Sequence, residues 1–235
     1  TAFSGTFRRP PQDTHQVLDV AAYLKNRPVQ WLVLPDLTKE LGSNYEKYDE
    51  GSIGQLDTRI LVEQYADKET AQDMAKAWRS GAYYAAVNKD SKVTGTAKIG
   101  LLYLSRWDSD ESADEFAKLY GDYLGKRYAK VHTIPVKDVK CSGNCDSTNV
   151  HAFETDEGSV WIERVEGSGV LVSEGFDVAT GSKVRTQVLA ANPAKSVQVR
   201  KHTLMSPLQT SAVLKEAMGR IIAERIVEAL HGKRQ

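Results

Sequence analysis

The feature that most constrains the fold is a set of six short strand patterns between residues 82 and 176, which surround one amphipathic helix. The strands are predicted at residues 83–88, 98–107, 130–136, 150–155, 160–165 and 170–174. Turn-forming residues at 156–158 and 166–169 separate the last three, as in hairpins. Strands joined by hairpins form antiparallel sheets. We therefore predict an α+β fold: a mostly antiparallel sheet with one long packed helix, preceded and followed by helices.

The long helix is predicted at about residues 110–126, between the second and third strands. Phe116, Tyr120 and Leu124 recur at helical spacing along it. A stripe of this kind faces the core of a globular protein. We expect these three side chains to be buried against the sheet, beneath Leu102 or its strand neighbours.

Helical patterns also lie outside the strand-rich region. One begins at Asp13 or Thr14 and places apolar residues on one face, namely Val17, Leu18, Ala21 and Leu24. A second, at about 53–66, opens with a Ser52–Gln55 capping pattern, and its predicted buried stripe is Ile53, Leu56, Ile60 and Leu61. Residues 45–51 read as a polar loop, and a final helix is predicted at 209–230. The predicted organisation is an N-terminal helical segment, 1–81, and an α+β domain with a C-terminal helix, 82–235, together forming one compact unit.

Charge and hydropathy narrow the choice of partners. The 235 residues include 31 basic and 31 acidic side chains, so the formal net charge is zero. A nucleic-acid binder needs a basic excess to neutralise phosphates, so we expect no nucleic-acid partner. No apolar run has the length of a membrane span. The chain begins at Thr1, and we expect that a signal peptide was removed from an extracytoplasmic, periplasmic or secreted protein.

Two cysteines, Cys141 and Cys145, flank a turn-forming Ser-Gly-Asn tripeptide. A disulfide between them is compatible with this spacing and would indicate an oxidising compartment. Two thiolates and two imidazoles can also hold Zn²⁺, so a cluster of His132, Cys141, Cys145 and His151 is the alternative. Free thiols are the third possibility. Our prediction is the disulfide.

The sequence contains no recognisable catalytic motif. HExxH, GxSxG, GxGxxG and GxxxxGK[ST] are all absent. We therefore assign no catalytic residue and expect no cofactor. The candidate contact surface consists of the pair Arg8 and Arg9, which could clamp an anion, and of Tyr45 and Tyr48, which lie in the predicted polar loop.

Four segments resemble, in the same order, a poorly characterised group of secreted bacterial proteins related to zincin-type metallopeptidases. They are RPPQDTHQVLDVAAYL (9–24), DEGSIGQ (49–55), WDSDESADEF (107–116) and VLVSEGF (170–176). In that group the metal-binding HExxH helix lies upstream of these segments. The resemblance implies a bacterial, exported protein that is either the C-terminal portion of such a peptidase or a relative without the peptidase half.

Two hypotheses for function follow. In the first, the chain is a non-catalytic extracytoplasmic bacterial domain that binds an unknown protein or small molecule, or supports a larger protein. In the second, it is the C-terminal part of a zincin-like metallopeptidase whose HExxH segment lies upstream of Thr1. An HExxH upstream would favour the second hypothesis, and a bare signal peptide the first.

Overall fold

The structure is a computed structural model that describes residues 11–25, 30–90, 92–138 and 146–194. The chain divides into two compact units, Thr1–Val199 and Arg200–Gln235, and every described residue belongs to the first. The helix predicted at 209–230 lies outside the described residues.

The first unit is built on one seven-stranded sheet, in which every neighbouring pair of strands is antiparallel. The strands are β1 (Tyr45–Ser52), β2 (Trp78–Asn88), β3 (Ile99–Trp107), β4 (Val131–Ile134), β5 (Val150–Thr155), β6 (Gly158–Val165) and β7 (Gly169–Glu174). Their order across the sheet is β1-β2-β3-β7-β6-β5-β4. Two meanders, β1–β3 and β4–β7, therefore meet where β3 pairs with β7. The predicted α+β fold is confirmed.

Seven α-helices accompany these strands in the described ranges. They are α1 (Thr14–Leu18), α2 (Val20–Leu24), α3 (Thr38–Leu41), α4 (Gln55–Glu63), α5 (Lys68–Ala77), α6 (Asp110–Arg127) and α7 (Val178–Ala191). Helix α6 connects the two meanders, and α7 follows the last strand. Helices therefore precede, interrupt and follow the sheet, as predicted.

Helix α6 covers one face of the sheet. Phe116, Tyr120 and Leu124 are all buried, as predicted. The ring of Phe116 packs edge-on against Tyr103 and lies 4.5 Å, centroid to centroid, from Trp107. Tyr103 neighbours Leu102 along β3 and points to the opposite face, so the helix packs on that neighbour. Tyr65, which follows α4, stacks on Tyr123 of α6 and joins the α4–α5 pair to this layer.

Helices α3 and α7 contribute to the core on the opposite face. Leu37 and Leu41, from the start and end of the α3 turn, meet Val184 and Val188 of α7 there. The strand residues of this cluster include Tyr84, Leu102, Leu104 and Leu171. Residues 30–37 have neither helix nor strand. The Asn192 side chain makes the hydrogen bonds to Val33 that a neighbouring strand would otherwise make. It accepts one from the Val33 N–H at 2.7 Å and donates one to the Val33 carbonyl at 2.8 Å.

The loop predicted at residues 45–51 is wrong, because these residues form the edge strand β1. Its register against β2 shifts between Lys47 and Asp49, which marks a β-bulge at Tyr48. Strand β2 itself runs across the predicted boundary between residues 81 and 82, and β1, on the N-terminal side of that boundary, pairs with it.

The two predicted apolar stripes of the N-terminal helices are largely turned to solvent. Of the predicted residues, six are exposed and two are half-buried; the exposed ones are Val17, Leu18, Ala21, Leu24, Leu56 and Ile60, and the half-buried ones are Ile53 and Leu61. The side chains that α1, α2 and α4 bury are instead Gln16, Ala22, Gln55, Thr58 and Val62. The helical period indicates helices here, but period alone does not say which side of a helix meets the core.

Candidate interaction surface

Six large apolar side chains on α1, α2 and α4 are exposed to solvent, and we call them the helical apolar surface. They are Val17, Leu18, Val20, Leu24, Leu56 and Ile60. Val20 and Leu24 lie one turn apart on α2 and are 62% and 69% exposed. Leu56 and Ile60 lie one turn apart on α4. Two pairs at i, i+4 spacing each place their side chains on one side of their helix.

Polar contacts attach α1 to α4. The Leu56 N–H donates to Oγ1 of Thr14 at 3.1 Å, and Nδ1 of His15 lies 2.8 Å from Oε1 of the buried Gln55. A Cβ at Gly54 would collide with the Thr14 hydroxyl, so this close approach needs glycine. Hydrogen bonds therefore help to hold α1 to α4, while the large apolar residues of α1 and α2 are exposed.

Aspartates start both short helices. Asp13 accepts from the Gln16 N–H at 3.1 Å and Asp19 from the Ala22 N–H at 3.0 Å, which satisfies donors that a helix start leaves without partners. Burial raises the pKa of Asp13, against the smaller opposing effects of its hydrogen bonds and of His15. Asp19 has φ −106° and ψ 91°, which breaks the helix and makes α1 and α2 separate elements.

The buried charges of the sheet are engaged inside the protein. Glu174, only 4% exposed, accepts hydrogen bonds from Arg127 at 2.8 and 3.0 Å, from Tyr128 at 2.8 Å and from Tyr120. Burial raises the pKa of both tyrosines, and the negative charge of Glu174 adds to the effect. Neutral phenols that donate to a carboxylate tie the end of α6 to β7. This arrangement is structural, because the carboxylate already has four donors.

Two further buried charges hold α7. Arg185 of α7 forms a two-pronged ion pair with Glu163 of β6. Arg106 of β3 donates to backbone carbonyls of Glu166 and Gly167 in the β6–β7 turn, and to that of Asn192, just after α7, at 2.8 Å. Burial lowers the pKa of Arg106. These contacts fix a turn and a helix end, which is a structural role.

The residues predicted for a contact surface do not come together. Tyr45 is 3% exposed and lies in the core, where its ring packs against Phe176 and its hydroxyl accepts from the Asp177 N–H at 2.9 Å. Tyr48, at the bulge of β1, is 53% exposed. Arg8 and Arg9 lie outside the described residues.

The histidines of the alternative zinc cluster are also apart in orientation. His132 of β4 is paired with Glu154 of β5, so the two side chains share one face of the sheet. His151 lies three residues before Glu154 on the same strand and therefore points to the other face. The two imidazoles lie on opposite sides of the sheet. Cys141 and Cys145 lie outside the described residues. Within the described ranges, no group of three or more His, Cys, Asp or Glu side chains is placed to hold a metal ion.

Sequence reasoning missed this surface, although the signal was present. The sequence predicts stripes on these helices, but it assigns them to the core and does not include Val20. The two clues were the polar residues that alternate with them, Gln16, Gln55 and Thr58, and the shortness of the helix before Asp19. None of the helices in the described part of the chain combines the length and apolarity needed to cross a membrane.

Comparison with known proteins gives one match. Residues 43–185 match a family described as Domain of unknown function (DUF8575). The matched range runs from just before β1 into α7, so it contains the whole sheet and α4 but begins after α1 and α2. No curated protein matches, and no solved structure matches.

Proposed function

The chain belongs to the DUF8575 family, and we propose that it is a non-catalytic domain that binds a partner through the helical apolar surface. One observation carries the proposal: helices α1, α2 and α4 expose six large apolar side chains, while the polar Gln16, Gln55 and Thr58 are buried together with Ala22 and Val62. Exposed large apolar side chains on neighbouring elements are typical of interaction sites.

The contrast with the rest of the molecule supports a binding role. Burying a Leu or Val side chain stabilises a protein by about 1.5–3 kcal/mol. The exposed apolar side chains of these helices do not contribute this stabilisation until a partner covers them. The buried ionic groups Glu174, Glu163 and Arg106 are meanwhile engaged in fixing strands and helices. The exposed faces of α1, α2 and α4 take no part in these ionic contacts, so a partner can bind there without disturbing them.

The proposal includes an extracytoplasmic location in bacteria. Its support is the spacing of Cys141 and Cys145, which suits a disulfide, together with the resemblance of the four segments to exported proteins. Fractionation of cells that express the natural gene tests it. Recovery of the protein in the cytoplasm would contradict this part alone.

The binding surface is tested with a double variant and a matched control. Val20→Gln with Leu24→Gln removes the α2 stripe, and Gln keeps the helix propensity of Leu. Val178→Gln is the control, because Val178 is 54% exposed but belongs to α7. Anilinonaphthalene sulfonate fluoresces on exposed apolar surface. We expect the double variant to lose most of the dye signal of the parent protein, and the control to keep it.

Stability decides between a surface and a core. Substitutions at exposed positions change the free energy of unfolding by about 0.5 kcal/mol or less each, whereas buried apolar residues cost about 2–5 kcal/mol. Urea unfolding of the double variant should therefore stay within about 1 kcal/mol of the parent protein. A larger loss would place Val20 and Leu24 in the core and refute the proposed function.

A further inference from the structure

We propose that residues 14–24, which contain α1 and α2, form an N-terminal arm that detaches and re-docks as one unit while the rest of the fold stays intact. The inference goes beyond the proposed function, because it concerns how two of the three helices of the helical apolar surface are attached. Its basis is a helix cap that α4 takes from the arm instead of from its own sequence.

The start of α4 has no side-chain cap of its own. Gly54 stands at the N-cap, where the oxygen of a Ser, Thr, Asp or Asn side chain ordinarily accepts from the N–H of the second or third helical residue. Oγ1 of Thr14 does this instead, because it accepts from the Leu56 N–H at 3.1 Å. The same oxygen occupies the space that a Cβ at position 54 would fill. Glycine at the N-cap therefore leaves room for Thr14 of the arm to dock.

The arm buries little apolar surface. Gln16 and Ala22 are the buried residues of α1 and α2, and of these only alanine is apolar. A second polar contact with α4 places Nδ1 of His15 2.8 Å from Oε1 of Gln55. Segments with few buried apolar contacts open at a lower free energy than the core does. Helices of five residues are unstable alone in water, so a detached arm also loses its helical hydrogen bonds.

The family match supports a core that is complete without the arm. It covers residues 43–185, which contain the whole sheet and α4, and it begins after α2. Of the six residues of the helical apolar surface, four lie on the arm and two on α4. Detachment separates these two groups, so a partner that contacts both shifts the equilibrium toward the docked arm.

Hydrogen exchange of the full chain, followed by mass spectrometry, tests the proposal. The Asp19 and Tyr23 N–H groups report on the arm, because they donate to the carbonyls of His15 and Asp19. Peptides from β3 and β7 report on the core. We expect the arm amides to exchange at least about 100-fold faster than those of the two central strands, which exchange only through the largest openings of the fold.

Two substitutions test whether the cap holds the arm. Thr14→Val removes the hydroxyl and keeps the shape of the side chain, so arm exchange should rise about fivefold, the effect of one lost cap. Gly54→Ser gives α4 a cap of its own and displaces the Thr14 oxygen. Arm exchange should then rise at least as much, while the urea midpoint of the core does not fall. Thr14→Ser keeps a hydroxyl at this position and is the matched control, with the exchange of the parent protein.

Three results would overturn the proposal. Arm amides that exchange as slowly as those of β3 and β7 would mean that the arm opens only when the whole unit unfolds. Unchanged arm exchange in both Thr14→Val and Gly54→Ser would mean that the cap does not hold the arm. A Thr14→Val protein whose core exchange rises as much as its arm exchange would make the arm part of the core. The measurement needs no partner, so failure of the dye experiment on the helical apolar surface leaves this inference standing.

Discussion

Replacement of Glu174 by alanine is the sharpest test of the sheet–helix contact. Its carboxylate lies at the end of β7 and receives four hydrogen bonds, two from the guanidinium of Arg127 and one each from Tyr120 and Tyr128. The substitution leaves the partly buried Arg127 cation and the phenols of Tyr120 and Tyr128 without their carboxylate acceptor. The end of α6 loses its main polar link to the sheet.

The magnitude follows from the burial of each group. Removing one partner of a buried ion pair costs about 3–5 kcal/mol, because the remaining charge stays away from water. The Arg127 side chain is 25% exposed, so water offsets part of the loss and the lower end applies, about 3 kcal/mol. Domains of this size unfold about 2–4 °C lower for each kcal/mol lost, so Tm should fall by about 6–12 °C.

Urea unfolding, followed by tryptophan fluorescence and by circular dichroism, measures this loss. The control is Asp73→Ala, which removes an exposed pair with Lys76 and should cost less than about 1 kcal/mol. A double variant, Glu174→Leu with Arg127→Leu, should recover more than half of the loss, because no unpaired charge remains. A Glu174→Ala protein within about 1 kcal/mol of the parent would refute the network as an anchor of α6.

Three further predictions concern pH, catalysis and the cysteines. Asp177 caps α7. Burial raises the pKa of its carboxyl group, but hydrogen bonds, led by that of the Thr180 N–H, lower this pKa overall. The stabilisation by the charged cap is therefore present above the unfolded pKa of about 3.9 and is lost as pH falls through the lower folded pKa. Asp177→Ala should therefore cost about 1 kcal/mol at pH 7 in urea unfolding, and equal losses at pH 7 and well below the folded pKa would contradict this reading. The purified chain should cleave no casein with or without added zinc, and chelator-sensitive cleavage that a histidine substitution abolishes would reveal an unrecognised site. Denatured, unreduced protein should show no titratable thiol, since Cys141 and Cys145 are predicted to be bridged; two thiols, or stoichiometric zinc, would exclude the bridge.

Much of the sheet was predictable because its central strands carry their own signal. Residues 99–107 and 169–174 are buried on both faces and consist mainly of apolar residues between turns. Helix α6 was predictable for a related reason, since large residues at i, i+4 and i+8 have only one buried side to share. The six strands found by pattern are those for which local sequence and tertiary environment agree.

Strand β1 could not be found in this way, because its sequence, YEKYDEGS, is that of a protected edge. Charged residues on an edge strand discourage pairing with other chains and remove the apolar alternation by which strands are recognised. Only Tyr45 of this strand is buried. Residues 45–52 form a strand because they pair with β2, which is about thirty residues away in the sequence.

The helical apolar surface was missed for the opposite reason, because its signal is the same as that of a core. A stripe at i, i+4 spacing describes a helix that has something to bury, and it does not say whether the cover comes from its own chain. The decisive contacts are those of Thr14 with Leu56 and of His15 with Gln55, which turn the polar side of α1 inward. Both join residues about forty positions apart, beyond the reach of periodicity.

The close approach at the end of β7 gives a last prediction, in which two glycines with nearly the same positive φ are compared. Gly175 has φ +69° and Gly95 has φ +64°, so alanine costs about 1–2 kcal/mol at either position because of the positive φ. A Cβ at Gly175 would also collide with the Ile99 carbonyl oxygen, whereas the space around Gly95 is open. Backbone cannot move aside as a flexible side chain can, and overpacking costs about 1–3 kcal/mol more.

Gly95→Ala should therefore lower the free energy of unfolding by about 1–2 kcal/mol, and Gly175→Ala by about 2–5 kcal/mol. The excess belongs to the contact with Ile99, which sets the turn from β7 into α7 and brings the ring of Phe176 over Gly100. Urea unfolding of the two variants measures the difference directly. Equal losses of unfolding free energy in the two variants would mean that β7 does not end against Ile99. The packing of Phe176 against Tyr45 would then also be wrong, because the turn at Gly175 places the Phe176 ring there.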